Sequence, residues 1–406
     1  MNINTYILKS GIRLLHVKAV GDVAYCGAVI NTGTRDELPT ESGYAHMVEH
    51  MLFKGTSKFS SNQIISRMED VGGEMNAYTT KEETVVYAAF MSRYLDRCFS
   101  LVSDMVLDSQ FDERSLKKEI EVVLEEIDSY IDNPAEQIMD DFENLIYSGN
   151  PLGRNILGDR KTLRSVSRKR IMEFYKRTYT PDQIVFFVMG NYTPQRILSL
   201  AEKRFEGIEP VTRSYTREAL APYTPQFKEV RKHTRQVHFV MGNRSYSYAE
   251  KERFTFILLN HILGGEYMSC ILNMSLREKE GLVYDVCSNY TTYADTGNWN
   301  IYLGCDYDKL SHVTDIIYSE LGKLMEQPIP ERELKLAKVR LLSYLTIGGE
   351  NRESWILGTA KQYLNTGRVM EKHEVETLIN SVTAADIQRC AEHIFAPENI
   401  TTLKFV

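Results

Sequence analysis

No stretch of eighteen apolar residues occurs in this chain of 406, and its six cysteines include no CxxC pair. The first absence removes a hydrophobic membrane-spanning helix. The second removes the usual cysteine-based zinc sites and argues against a disulfide framework, since scattered thiols suit a reducing compartment. The opening run MNINTYILKSGIRLLHVKAV lacks the basic stretch and uninterrupted apolar core of an export signal, so a cytoplasmic location is expected. Basic charge is also in short supply: 48 Lys and Arg face 55 Asp and Glu, for a formal net charge of −7. That balance disfavours nucleic acid or an anionic membrane as the main partner. With 43% hydrophobic and 25% charged residues, the composition is that of a folded globular protein.

The length exceeds one ordinary core and predicts two domains of about 200 residues each. YILKSGIRLLHVKAV, VAYCGAVINTG, GGEMNAYTTKEETVVYAAF and QIVFFVMGN (183–191) alternate or cluster apolar residues as strands do. Helical periodicity covers 42–54, 61–71, 93–108, 112–131, 133–146 and 193–206. The second half repeats this order, with strands in FKEVRKHTRQVHFVMGN, helices over 248–278, strands in YDVCSNYTTYADTGNWNIYLGC and long helices to about 395. FDERSLK (111–117) aligns with IPERELK (329–335), 218 residues on, and HMLFKG (50–55) with NHILGG (260–265), 210 residues on. These features predict an α+β fold of two homologous domains made by tandem duplication, each a mostly antiparallel or mixed sheet covered by helices. Residues 1–208 are expected to form the first domain, the Pro-, Thr- and charge-rich segment 209–226 a linker, and 227–406 the second domain.

Within GYAHMVEHMLFKGT, an otherwise apolar helix carries His46, Glu49 and His50. His46 and His50 lie one turn apart on one face, so both imidazoles can bind one metal ion, and Glu49 is close enough to reach a water on it. Left unpaired, such groups are costly to bury; a metal removes that cost. Chance alone gives HxxEH in roughly one or two of a hundred chains of this size. A third ligand is sought in EIEVVLEEI (119–127). There Leu116, Ile120, Val123, Ile127 and Ile131 form an apolar stripe, Glu119 and Glu126 lie along its edge, and Glu125 points away. Glu126 is therefore preferred as the ligand. A set of nitrogen and oxygen donors suits zinc and also accepts manganese or cobalt. The duplication supplies a control. At the offset of 210, His46, Glu49 and His50 fall opposite Phe256, Leu259 and Asn260; at 218, Glu119 and Glu126 fall opposite Ala337 and Tyr344. The polar set is absent from the second copy, so the fold alone does not require it.

HMVEHMLFKGT, GGEMNAYTTKEETVVYA, KKEIEVVLEEI, NPLGRNILGD and LREKEGLVYDV together resemble the pitrilysin-type (inverzincin) metallopeptidases, most closely the mitochondrial processing peptidase beta subunits and their bacterial relatives. The resemblance implies one zinc per chain on His46, His50 and Glu126, Glu49 as general base, and Glu119 as an acidic support. It implies that Arg277 and Tyr284, in REKEGLVY, approach the zinc from another domain to hold substrate and stabilise the oxyanion. Asn76 and Ala77 match a strand that pairs with an extended peptide. Phe53 matches a residue lining the pocket for the first residue after the cut. Glu136 and Asp140 match an acidic pair that binds arginine before the cut. Large single-chain relatives hold four such domains as a clamshell, and this chain has two, a half clamshell. A homodimer follows, with each active site completed by the partner's second domain. Unfolded peptides or presequence-like segments are the substrates so implied. The alternative is a non-catalytic scaffold or peptide-binding subunit derived from the same family.

Overall fold

The computed structural model describes residues 2–232 and 234–406. Its strands are β1 (Asn2–Ile7), β2 (Arg13–Lys18), β3 (Val23–Ile30), β4 (Glu74–Thr79), β5 (Thr84–Met91), β6 (Ile184–Gly190), β7 (Phe227–Val230), β8 (Val237–Ser245), β9 (Val283–Thr292), β10 (Gly297–Cys305) and β11 (Thr401–Phe405). Its helices are α1 (Tyr44–Leu52), α2 (Ser61–Glu69), α3 (Leu95–Leu107), α4 (Glu113–Ile131), α5 (Pro134–Ile146), α6 (Arg160–Arg164), α7 (Arg168–Thr178), α8 (Pro194–Arg204), α9 (Arg253–Gly264), α10 (Leu310–Glu326), α11 (Glu331–Gly348), α12 (Arg352–Thr366), α13 (Lys372–Ser381) and α14 (Ala384–Ile394). Among the described residues, no helix is long and apolar enough to cross a membrane.

Each of two compact units is built on one sheet. In the first the strand order is β1-β2-β6-β3-β5-β4, with β2 and β6 parallel and the other neighbours antiparallel. In the second it is β7-β11-β8-β10-β9, with β7 and β11 parallel and the others antiparallel. Without β1 the two orders match strand for strand, including the position of the parallel pair. The architecture is therefore two homologous α+β units, as the repeated sequence predicts. Central strands read as unbroken apolar runs because both their faces are covered: all of IVFFVMG in β6 is buried.

The units are not the contiguous halves of the chain. The first comprises residues through Ser129, Asn150–Ala219 and Asn351–Val369; the second comprises Tyr130–Gly149, Leu220–Glu350 and Met370–Val406. Helix α12 supplies Ile356, Ala360 and Tyr363 to a core with Leu15, Val17, Val29, Val85, Val185 and Phe187 on one face of the first sheet. In the second unit α5 takes the equivalent place. There Arg244 donates to the Ile146 carbonyl at 3.2 and 3.1 Å, and Tyr147, just past α5, donates to the Gly297 carbonyl at 2.9 Å. Helices α5 and α12 begin 218 residues apart, the offset already seen in the sequence. The exchange thus crosses the boundaries drawn at 208 and 227. Periodicity tells which face of a helix is apolar but not which sheet will cover it. Residues 208–226 hold no helix or strand, yet their first part is not a solvated spacer. Arg213 and Arg217 pair with buried Asp36 at 3.3 and 2.8 Å, and Tyr215 donates to the same carboxylate at 3.0 Å.

Candidate metal centre

Helix α1 starts after Gly43, whose φ of 87° lies in the left-handed region that favours glycine. Tyr44, Ala45, Met47, Val48, Met51 and Leu52 are buried, which leaves His46, Glu49 and His50 on the remaining face. The two imidazole centroids are 4.6 Å apart. Helix α4 buries Leu116, Ile120, Val123 and Ile127 against the same unit; Glu125 is exposed and Glu126 half-buried. That rotation brings Glu126 to the histidines. Its carboxylate oxygens lie 3.8 Å from His46 Nε2 and 3.6 Å from His50 Nε2. Tetrahedral zinc with bonds of 2.0–2.2 Å places its ligand atoms about 3.4 Å apart, so these three residues fit the ion with small adjustments. All three ligand atoms lie within 4.8 Å of one another.

The electrostatics favour the same occupant. Desolvation, with a further push from His50, takes the His46 imidazole down to about 3. It therefore stays neutral, the form a metal takes. His50 Nδ1 meets the Glu119 carboxylate at 3.1 Å, which leaves Nε2 directed at Glu126. Glu119 is itself buried and paired with Lys54 at 2.7 Å. A carboxylate behind a ligating histidine fixes its tautomer and strengthens it as a donor. Glu49 accepts a 2.7 Å hydrogen bond from the Thr79 hydroxyl at the end of β4. Burial raises the Glu49 carboxyl, while Thr79 and His50 pull it back.

Strand β4 is the outer strand of its sheet, so among the described residues one of its backbone edges has no strand partner. Asn76 is exposed, and its side-chain oxygen accepts the Ala77 N–H at 2.9 Å. Phe53, at the end of α1, is half-buried against the first core. The remaining sequence candidates belong to the second unit. Arg277 lies in a π-helical turn, Asn273–Glu278, and lines a cavity of about 530 Å³ with Asn260, His261, Asn289 and Tyr344. Tyr284, on β9, is 63% exposed and donates to Asp306 at 2.9 Å. Glu136 and Asp140 stand on α5 around Tyr130, whose hydroxyl donates to the Glu136 carbonyl at 2.8 Å. Desolvation and then Asp140 push the ionisation of that phenol upward. Thr79 and Lys54 also serve the site, and both lie within the motifs GGEMNAYTTKEETVVYA and HMVEHMLFKGT. Lys54 is four residues past His50, and Thr79 is three past Asn76, spacings that become meaningful only once α1, α4 and β4 are placed.

Residues 14–160 match the family model described as Insulinase (Peptidase family M16), and residues 165–341 match the one described as Peptidase M16 inactive domain. An uncharacterized zinc protease of Rickettsia felis is 32% identical over 403 residues, covering 99% of this chain and 96% of that protein. The uncharacterized zinc protease YmxG of Bacillus subtilis is 31% identical over 398 residues, covering 98% and 96%. The chain belongs to peptidase family M16. All three residues of the metal cluster fall inside the first M16 match, and the inactive-domain match begins after them. Among solved structures, a protease from Helicobacter pylori shares the fold of this chain with a TM-score of 0.92 at 21% identity, covering 100% of this chain and 99% of that one. A peptidase M16 inactive domain from Pseudomonas fluorescens follows at 0.90 and 16% identity, covering 100% and 98%.

Proposed function

We propose that this M16 chain is a zinc metalloendopeptidase acting on unfolded peptides or presequence-like segments, with one zinc per chain on His46, His50 and Glu126. The observation that carries the reading is the meeting of that trio with a carboxylate, Glu49, held beside it by Thr79. Zinc bound there would supply Lewis acidity to a water and to the peptide carbonyl. Glu49 takes the proton of the attacking water and hands it to the departing amine; its raised basicity suits both transfers. Glu119 and Lys54 hold His50 in the donor orientation. The free edge of β4, with Asn76 and Ala77, takes the substrate as an added strand, which reads backbone shape more than side chains. Phe53 contributes to the pocket beyond the cut, and Glu136 and Asp140 favour an arginine before it. Arg277 and Tyr284 hold the substrate and the oxyanion of the partner protomer's site in a cytoplasmic homodimer.

Cleavage of a quenched, arginine-containing unfolded peptide tests this reading in the protein as isolated, after chelation and after return of one zinc equivalent. Activity should vanish with the metal, return with it, and fall about 10²–10⁴-fold in Glu49→Gln that still binds zinc. A mixture of Glu49→Gln and Arg277→Ala protomers should regain about a quarter to a half of the activity per dimer; no recovery would refute sharing between protomers. Zinc-loaded wild type that binds the peptide and leaves it whole would replace the enzyme with a peptide-binding protein.

A further inference from the structure

Two motifs remain without a role in the chemistry above: TRDE (34–37), and NPLGRNILGD (150–159). The fold brings them together at the start of the metal helix. Gly43 precedes α1 and has no side chain to cap it. The cap comes from six residues upstream: Glu37 Oε2 accepts the Gly43 N–H at 3.2 Å and Oε1 accepts the Ala45 N–H at 2.9 Å. Glu37 is 3% exposed, so these bonds are made out of water. Arg154 donates to the Glu37 carbonyl, and Lys81 in turn donates to the Arg154 carbonyl at 2.6 Å. The NPLGRNILGD turn is seated on the same helix end. A Cβ on Gly158 would lie 2.4 Å from Gly43 Cα, and one on Gly43 would lie 2.8 Å from the Leu157 carbonyl oxygen.

The same segment also reaches the strand that holds the base. Thr34 N–H donates to the Thr80 carbonyl at 3.3 Å and Arg35 N–H to the Lys81 carbonyl at 2.8 Å. Thr80 follows Thr79, whose hydroxyl binds Glu49. Residues 33–37 therefore touch both the helix that carries His46, Glu49 and His50 and the end of the strand that orients Glu49.

We infer that Glu37 and Arg154 are positioning residues of the peptidase site: together they lock the start of α1 against the β4 end and so hold the Glu49 carboxylate of α1 on the Thr79 hydroxyl of β4. The inference rests on the metallopeptidase reading. Both act through the placement of α1 and the β4 end. A buried acid is a costly way to cap a helix, since burial pushes the Glu37 carboxyl up to about 8. An ordinary Ser or Asp beside the helix would cap it more simply. What the buried Glu37 side chain adds is a connection between two elements whose relative placement sets the reaction geometry. Misplacement by about 1 Å at such a distance can cost about a hundredfold in rate.

The test uses full-length Glu37→Gln and Arg154→Met, with Arg154→Lys as the variant that can still donate to the Glu37 carbonyl. Each is loaded with one equivalent of zinc for kinetics and of Co²⁺ for visible spectroscopy. The expected result is full metal stoichiometry, KM within about twofold of wild type, kcat lower by about ten- to a hundredfold, and shifted cobalt bands, with Arg154→Lys partly restored. A role in folding alone would lower the melting temperature and leave kcat per folded, metal-loaded molecule and the cobalt spectrum unchanged; that outcome overturns the inference. If Glu37→Gln fails to fold, the two Arg154 variants decide the matter by the same readouts. Wild type that binds Co²⁺ but cleaves no peptide would sink the peptidase reading, and the cobalt spectra of the variants would still decide whether the lock orients the metal helix.

Discussion

The two copies share one sheet order, apart from β1, and carry different residues at matching positions. In the first, α1 and α4 present His46, His50 and Glu126 to one another across less than 5 Å. In the second, the residues at the corresponding sequence positions are Phe256, Asn260 and Tyr344. Phe256 is fully buried, with its ring 4.8 Å from Tyr290, 6.4 Å from Trp299 and 6.2 Å from Phe395. Asn260 donates to the Ser288 carbonyl at 3.0 Å and accepts the Ser288 hydroxyl at 2.6 Å, and Tyr344 packs on His261. The scaffold therefore accepts a buried aromatic side chain at the position of His46, while Asn260 and Tyr344, at the positions of His50 and Glu126, line a cavity. The fold does not require polar groups that a duplicate can replace, and burying them in the absence of a ligand only costs stability.

The comparison breaks most sharply if the second copy's residues are moved into the first. His46→Phe with His50→Asn should bind no zinc and lose about 10³-fold or more of peptide hydrolysis, while unfolding no earlier than chelated wild type. Metal analysis, the peptide assay and calorimetry together check this; a variant that cannot fold would make the histidines structural after all. The reverse asymmetry gives the next effect. Phe256→Ala should cost about 3–5 kcal/mol in chemical denaturation, from lost transfer energy and a cavity among Tyr290, Trp299 and Phe395, and leave zinc stoichiometry at one. Loss of zinc in that variant would mean that the second core supports the first site.

The most gradual effect, spread over several pH units, concerns Glu37. Glu37 titrates near 8 in the folded chain against 4.5 when exposed, with burial the main cause, Glu41 adding to it, and the Gly43 and Ala45 N–H groups and Arg154 opposing it. Between those values the folded state holds the extra proton, so Glu37 makes stability fall as pH rises from 4.5 towards 8. The slope from this one group is at most about 1.4 kcal/mol per pH unit. Denaturation of Glu37→Gln across that range should lack the decline, and an unchanged pH profile would show that the carboxyl is solvated.

Much of the metal cluster was legible because its parts are local. His46 and His50 are one helical turn apart in an apolar stretch, and Glu126 was separable from Glu125 by the rotation of a single helix. The duplication was legible as an offset between repeated words. The exchange of α5 and α12 was not, because an amphipathic helix advertises an apolar face and says nothing about the sheet it will cover. Nor did the segment 209–226, rich in turn-forming and charged residues, disclose that Arg213, Tyr215 and Arg217 converge on Asp36, since such ion pairs join residues about 180 positions apart.

The sequence by itself determined the repeated α+β order, the helix that bears two histidines and a glutamate, and the carboxylate able to join them, all set by periodicities of two and 3.6 residues. Only the tertiary structure decided that Thr79 holds Glu49, that Lys54 and Glu119 stand behind His50, and that Glu37 and Arg154 pin the start of α1. Those are contacts between segments distant in the chain, and their partners are chosen by how apolar faces stack, a choice no local pattern encodes.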